Sequence, residues 1–118
     1  MRRSRALLIA IVVAGFVAVG GFVAFRGIGA GGRQVTVNAT VTGSSMKPDR
    51  ITVRQGDHVT MTVSADRAEE IHLHGYDIKF EAAPGKPATH TFTADKTGSF
   101  DIEIEDRSTG VGSLVVQP

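Results

Sequence analysis

From Val35 to the end of the chain, apolar residues return at every second position, a period that strands satisfy and helices do not. Val35, Val37, Ala39 and Val41 alternate with Thr36, Asn38 and Thr40. Val59, Met61 and Val63 alternate with His58, Thr60 and Thr62, and Phe100, Ile102 and Ile104 with Asp101, Glu103 and Glu105. Gly43-Ser44-Ser45 with Pro48, Gln55-Gly56-Asp57, Ala82–Pro87 and Asp95–Gly98 supply turn chemistry between the runs. About eight short strands at roughly ten-residue spacing predict an all-β fold, a Greek-key antiparallel β-sandwich. Asn38-Ala39-Thr40 matches a glycosylation sequon, which inside a strand reads as a chance match.

A different pattern precedes the strands. Ala6–Phe25 is twenty residues without a charge, behind Arg2, Arg3 and Arg5. As a helix it would cover roughly 30 Å, the thickness of a bilayer's hydrocarbon core. The basic flank keeps the N-terminus cytoplasmic and sends the rest outward. Residues 1–26 are therefore expected to be an N-terminal transmembrane helix, with cleaved signal peptide as the alternative, Ala18 and Gly20 serving as small residues of a cleavage site. Residues 27–34 read as a glycine-rich tether and residues 35–118 as the sandwich domain. The localisation that follows is a single-pass cell-membrane protein with its C-terminal domain extracytoplasmic, or a secreted one after cleavage. The membrane is one partner, and a protein is a second candidate.

Charge and cysteine content close off several functions. From Arg33 onward nine Lys and Arg face twelve Asp and Glu, so the domain is mildly acidic and shows no basic patch for nucleic acid. The absence of cysteine removes disulfides, thiolate catalysis, Fe–S clusters and any thiolate metal site. The serines sit in no nucleophile motif, Gly29–Gly32 lacks a P-loop lysine, and no catalytic set stands out, so the chain is expected not to be an enzyme.

Glu69–Tyr76, E-E-I-H-L-H-G-Y, is the chemically distinctive stretch. Ile71 and Leu73 form the apolar face of a strand, and Glu70, His72 and His74 share the other. Positions i and i+2 on a strand lie about 6–7 Å apart at Cα, close enough for two imidazoles to share one metal. Such a pair suits Cu(II), Zn or Ni, completed by carboxylate or water. His72 and His74 are the candidate metal ligands, with Glu70, on the same face, and Met46, a loop thioether, as further candidates. The bland reading of each histidine alone is polar surface. His90, on an apolar face, reads as a core or rim histidine and His58 as surface. Asp101, Glu103, Glu105 and Asp106 read as an acidic strand edge that protects against edge pairing.

Several motifs resemble the cupredoxin family. Ile51-Thr52-Val53-Arg54-Gln55-Gly56-Asp57-His58-Val59 is similar to its I-x-V-x-x-G-D-x-V strand pair. Thr91-Phe92-Thr93-Ala94, then Gly98-Ser99-Phe100 and Gly112–Val116, resemble its later strands, and His72 lies where the family places a first copper histidine. The domain closely resembles a cysteine-free branch of cupredoxin-like domains with an H-x-H-G-Y-D segment, here His72–Asp77. A type 1 copper centre uses two His, a Cys thiolate and a weak axial ligand. Counted from Phe100, the family's Cys position carries Ile104, its second histidine Arg107 and its axial Met falls near Gly110. The resemblance thus implies a membrane-anchored, extracytoplasmic binding or accessory domain that lacks a type 1 centre. The alternative is handling of copper or another divalent metal through His72 and His74. Electron transfer is disfavoured by the missing thiolate.

Overall fold

The alternating runs close into two facing sheets in the computed structural model, which describes residues 21–29 and 32–118. In chain order the strands are β1 Gly21–Gly29, β2 Gly32–Thr42, β3 Ser45–Lys47, β4 Arg50–Arg54, β5 His58–Ala65, β6 Glu69–Leu73, β7 Ile78–Ala82, β8 Ala88–Thr93, β9 Gly98–Ile104 and β10 Thr109–Gln117. One five-stranded sheet runs β1-β2-β5-β8, with β3 also paired to β2; the other runs β4-β10-β9-β6-β7. Odd-numbered residues of β2 from Val35 onward and of β5, and Ile71, Leu73, Phe80, Ile102, Ile104 and Leu114 from the other sheet, meet between them in one buried core. Fully burying a side chain of this size contributes about 1.5–3 kcal/mol.

The sandwich is mixed, and in this it departs from the wholly antiparallel one expected. β2 and β5 run parallel, as do β4 and β10. The reason is the crossover. β3 and β4 carry the chain out of the first sheet into the second before β5 returns to lie beside β2, and a return of that kind leaves two strands pointing the same way.

The N-terminal expectation is corrected where the structure describes it. Gly21–Gly29 is strand β1, paired antiparallel with β2 from Gly21↔Ala39 to Gly29↔Gly32. Gly21–Phe25 therefore does not continue a helical span, and residues 27–29 and 32–34 are strand rather than tether. An apolar run suits a strand as well as a membrane, and Val23 of β1 packs against the core. The rest of the expected anchor, residues 1–20, lies outside the described residues. Among the described residues no helix is long and apolar enough to cross a membrane.

Arg33 shows how the domain reaches past its expected start at Val35. Its Nε and Nη2 donate to Asp57 Oδ1 at 3.1 Å and Oδ2 at 2.7 Å, and Arg54 N–H donates to the same carboxylate at 2.8 Å. Burial pushes the Asp57 carboxyl up, but the guanidinium and the Arg54 N–H outweigh it and hold the group below its usual range. Next to it, a side chain at Gly32 would run into the carbonyl of Gly56. Asn38 is buried on β2, so in the folded domain the sequon it begins is out of reach, as a chance match should be.

Candidate functional site

β6 lies inside its sheet, between β9 and β7. Its alternation is the one expected: Glu69, Ile71 and Leu73 are buried, while Glu70 and His72 face outward. Across the sheet His72 is opposite Glu103 on β9 and Lys79 on β7. Beyond the strand end, His74 N–H donates to Asp101 O at 2.9 Å, extending the ladder so that His74 stays on the His72 side. The two rings pack with centroids 4.5 Å apart and planes inclined at 46°.

The turn that follows is held firmly. Gly75 has φ +83°, and the Phe100 ring fills the space where a Cβ would stand. Tyr76 packs on Phe92 and Phe100 at 5.3 and 5.0 Å. Its hydroxyl donates to Lys96 O at 2.8 Å and accepts from Lys96 N–H at 2.9 Å. Lys96 Nζ donates to Gly75 O at 2.7 Å and lies 5.0 Å from the Tyr76 ring centroid. Burial pushes the Tyr76 hydroxyl's pKa up, so it keeps its proton and both bonds at neutral pH.

Carboxylates ring the histidine pair. His72 Nε2 is 3.2 Å from Asp77 Oδ1, and its Nδ1 is 3.3 Å from Glu105 Oε2. His74 Nε2 is 2.9 Å from Glu103 Oε1. Glu105 Oε2 is a buried atom with no hydrogen-bond partner, since its approach to His72 Nδ1 falls outside hydrogen-bonding geometry. A ring nitrogen and an orphaned carboxylate oxygen thus stand side by side, both able to accept a cation. Among the described residues no group of three or more His, Asp or Glu already converges on a metal position, so binding would require the half-exposed side chains to turn.

Of the four residues singled out from sequence, the structure brings His72 and His74 together and leaves two elsewhere. Glu70 shares their face but turns to Lys79 Nζ at 3.5 Å. Met46 is corrected outright: it is 2% exposed in the core between the sheets, against Gly112, and cannot reach the outer face where the histidines lie. The acidic row needs correction too. β9 is an interior strand, so Asp101 and Glu103 protect no edge, while Glu105 and Asp106 lie in the 3-10 turn Glu105–Arg107 that follows it. His90 is exposed at the rim, its ring edge-on to Phe80 at 5.1 Å, and His58 meets Thr93 Oγ1 at 3.3 Å. Sequence reasoning missed Asp77, Glu103 and Glu105 as neighbours of the histidines. The available signal was the register of β6 on β9, which the alternation of each strand alone does not specify.

Two of the positions compared above with type 1 copper ligands carry side chains with other surroundings. Ile104 is fully buried and apolar. Arg107 donates to buried Glu69 at 2.5 Å, to Gly43 O and to Ser44 Oγ, which makes it a structural tie between β6 and the β2–β3 turn. Glu69 also accepts from Arg67 at 3.1 Å. Beside them an open cleft of about 390 Å³, lined by Glu69, Glu70, Glu81 and Asp106, is acidic and shallow.

No protein-family model matches the chain. A nitrous-oxide reductase of Ralstonia nicotianae is 35% identical over 80 residues, a match covering 63% of this chain and 12% of that enzyme. The chain thus spans about an eighth of the length of this relative. Among solved structures, a copper-binding protein in its apo form superposes with TM-score 0.60 at 12% identity, over 79% of this chain and 94% of that one. The metal-binding domain of a Cu(I)-exporting P-type ATPase of Streptococcus pneumoniae gives TM-score 0.63 at 14% identity, over 79% and 93%. A chain of a heme-copper terminal oxidase gives 0.61 at 11%, over 98% and 99%. The fold is cupredoxin-like. Within the cupredoxin-like frame, the histidine pair lies on the outer face of a sheet, and its surroundings are oxygen donors rather than sulfur.

Proposed function

We propose that this cupredoxin-like domain is an extracytoplasmic, non-enzymatic copper-handling module that takes its ion through His72 and His74. The single observation that carries the reading is the juxtaposition of two imidazoles, 4.5 Å apart, with an orphaned Glu105 oxygen beside a ring nitrogen of one of them. Imidazole and carboxylate together suit copper. The relative and the solved structures named above include copper proteins by their own descriptions, which supports choosing copper over other divalent ions. When bound, the ion would supply no electron-transfer centre of the blue type, because no thiolate is present to hold one. The chain's own residues bind and orient: β6 and β9 fix the spacing of the imidazoles, and the Tyr76–Lys96 clasp fixes the turn after them.

Export rests on the basic, apolar N-terminus. With Gly21–Gly29 in the sheet, an anchor would have to end before Gly21. Anchoring to the membrane is our reading, and release after signal cleavage is the alternative. The mass of the chain recovered from a membrane fraction decides between them, an intact N-terminus meaning an anchor and a mature chain starting near Gly21 meaning a cleaved signal.

The test of function is a Cu(II) titration of the full chain in detergent, followed by calorimetry and electron paramagnetic resonance. We expect stoichiometric binding that His72→Ala/His74→Ala abolishes and His58→Ala/His90→Ala leaves intact. Binding that survives the first double variant overturns the site. No binding by the unaltered chain overturns metal handling and moves the search to a protein partner for the same face.

A further inference from the structure

Resting on that reading, we infer that Glu103, Glu105 and Asp77 make the histidine site selective for oxidised Cu(II) and against Cu(I). The outer face of this sheet carries Glu81 and Lys79 from β7, Glu70 and His72 from β6, and Asp101 and Glu103 from β9, with Glu105 at the start of the 3-10 turn that follows β9. With Asp77 added from the turn, six carboxylates among the described residues surround the two histidines, against Lys79, committed to Glu70 at 3.5 Å, and Lys96, whose Nζ is committed to the Gly75 carbonyl. Such a field concentrates cations, and a divalent ion gains more from it than a monovalent one.

Donor chemistry points the same way. Cu(I) is a soft ion that thiolates and thioethers select, whereas Cu(II) accepts imidazole nitrogen with carboxylate oxygen. The sequence has no cysteine and three methionines. Met46 and Met61 are sealed in the core, 2% and 0% exposed, so the described residues offer no sulfur at this face. The oxygens lie where a cation bound to the imidazoles would find them: Glu105 Oε2 at 3.3 Å from His72 Nδ1, Asp77 Oδ1 at 3.2 Å from His72 Nε2, and Glu103 Oε1 at 2.9 Å from His74 Nε2. Asp77 is 91% exposed at its side chain, and Glu103 and Glu105 are 28% and 39%, so all three can turn inward on a bound ion without disturbing the core. Nor does the acidic row have a competing duty at a sheet edge, because β9 is interior.

The experiment measures Cu(II) and Cu(I) affinities of the full chain separately, by competition with a chelator of each ion, the Cu(I) series without oxygen. The variants are Glu103→Gln/Glu105→Gln, and Asp49→Asn/Asp95→Asn as a match for the charge lost. We expect tighter binding of Cu(II) than of Cu(I). The Glu103→Gln/Glu105→Gln variant should weaken Cu(II) by about 10-fold or more and change Cu(I) by about twofold or less, while the charge-matched pair leaves Cu(II) affinity close to that of the unaltered chain. Tighter Cu(I) binding, or equal loss of Cu(II) affinity in the two variant pairs, overturns the inference and leaves the histidine site standing. Binding of neither ion above the His72→Ala/His74→Ala background overturns the site itself, and the selectivity with it.

Discussion

Asp57 gives the domain a pH dependence that its contacts explain. It is 2% exposed and takes two hydrogen bonds from Arg33 and one from the Arg54 backbone. Its carboxyl is held below the usual range in the folded state, whereas in the unfolded chain it titrates at about 3.9. A group depressed in this way adds stability that is fully present above the unfolded value and disappears as pH falls through the folded one. Denaturation midpoints measured from pH 7 down to pH 3 should therefore drop for the unaltered protein below about pH 4, and Asp57→Asn should flatten that part of the profile. Arg33→Ala leaves the carboxylate buried without its main partner and should cost on the order of 2–4 kcal/mol at neutral pH, less than a fully enclosed pair because Arg33 is partly exposed. A profile that is unchanged by Asp57→Asn would remove this residue from the acid response. None of this could be read from Arg33 in the sequence, where a glycine-rich neighbourhood makes it look like linker. Its role is conferred by Asp57, twenty-four residues on.

At the scale of elements, the β6–β7 turn is the piece on which the candidate site depends. His74 and Asp77 flank Gly75 and Tyr76, and those two residues are locked by Phe100 and Lys96. Gly75→Ala meets both a left-handed backbone and an aromatic ring in the place of its methyl group. It should destabilise the domain by about 2–3 kcal/mol and weaken copper binding as the turn shifts. Tyr76→Phe keeps the ring packing and removes two hydrogen bonds, so a smaller loss of about 1–2 kcal/mol is expected. Thermal unfolding of both variants checks the order, and Tyr76→Phe proving the worse would assign the clasp more weight than the close approach of Phe100. The H-x-H-G-Y-D segment already marked this turn in the sequence, because the outward placement of His72 and His74 follows from strand alternation alone. Glu103 on β9 and Glu105 just after it were not legible as neighbours. His74 and Glu103 are twenty-nine residues apart, and only the register of two interior strands joins them.

For the whole molecule, the legible part was the sandwich and the illegible part was its ends and its strand directions. Alternation from Val35 onward placed the core residues correctly on β2, β5, β6 and β9 because period two has one structural meaning. Hydropathy cannot do the same for Phe22–Phe25, since a membrane and a sheet edge reward the same side chains. Parallel pairing of β2 with β5 depends on where β3 and β4 cross, which no local pattern records. Strand β1 has a neighbour on one side only, so hydrogen exchange should open it before β5, which is paired on both sides. Amides of Gly21–Gly29 as slow as those of His58–Ala65 would contradict that order. The burial of Met46 and Met61 has one more result. Wherever peroxide reaches it, the folded sandwich has no thiol to oxidise and shields both of these thioethers from sulfoxide formation. Its oxidation should then be limited by unfolding, with one oxygen added at each of these methionines only once the two sheets come apart.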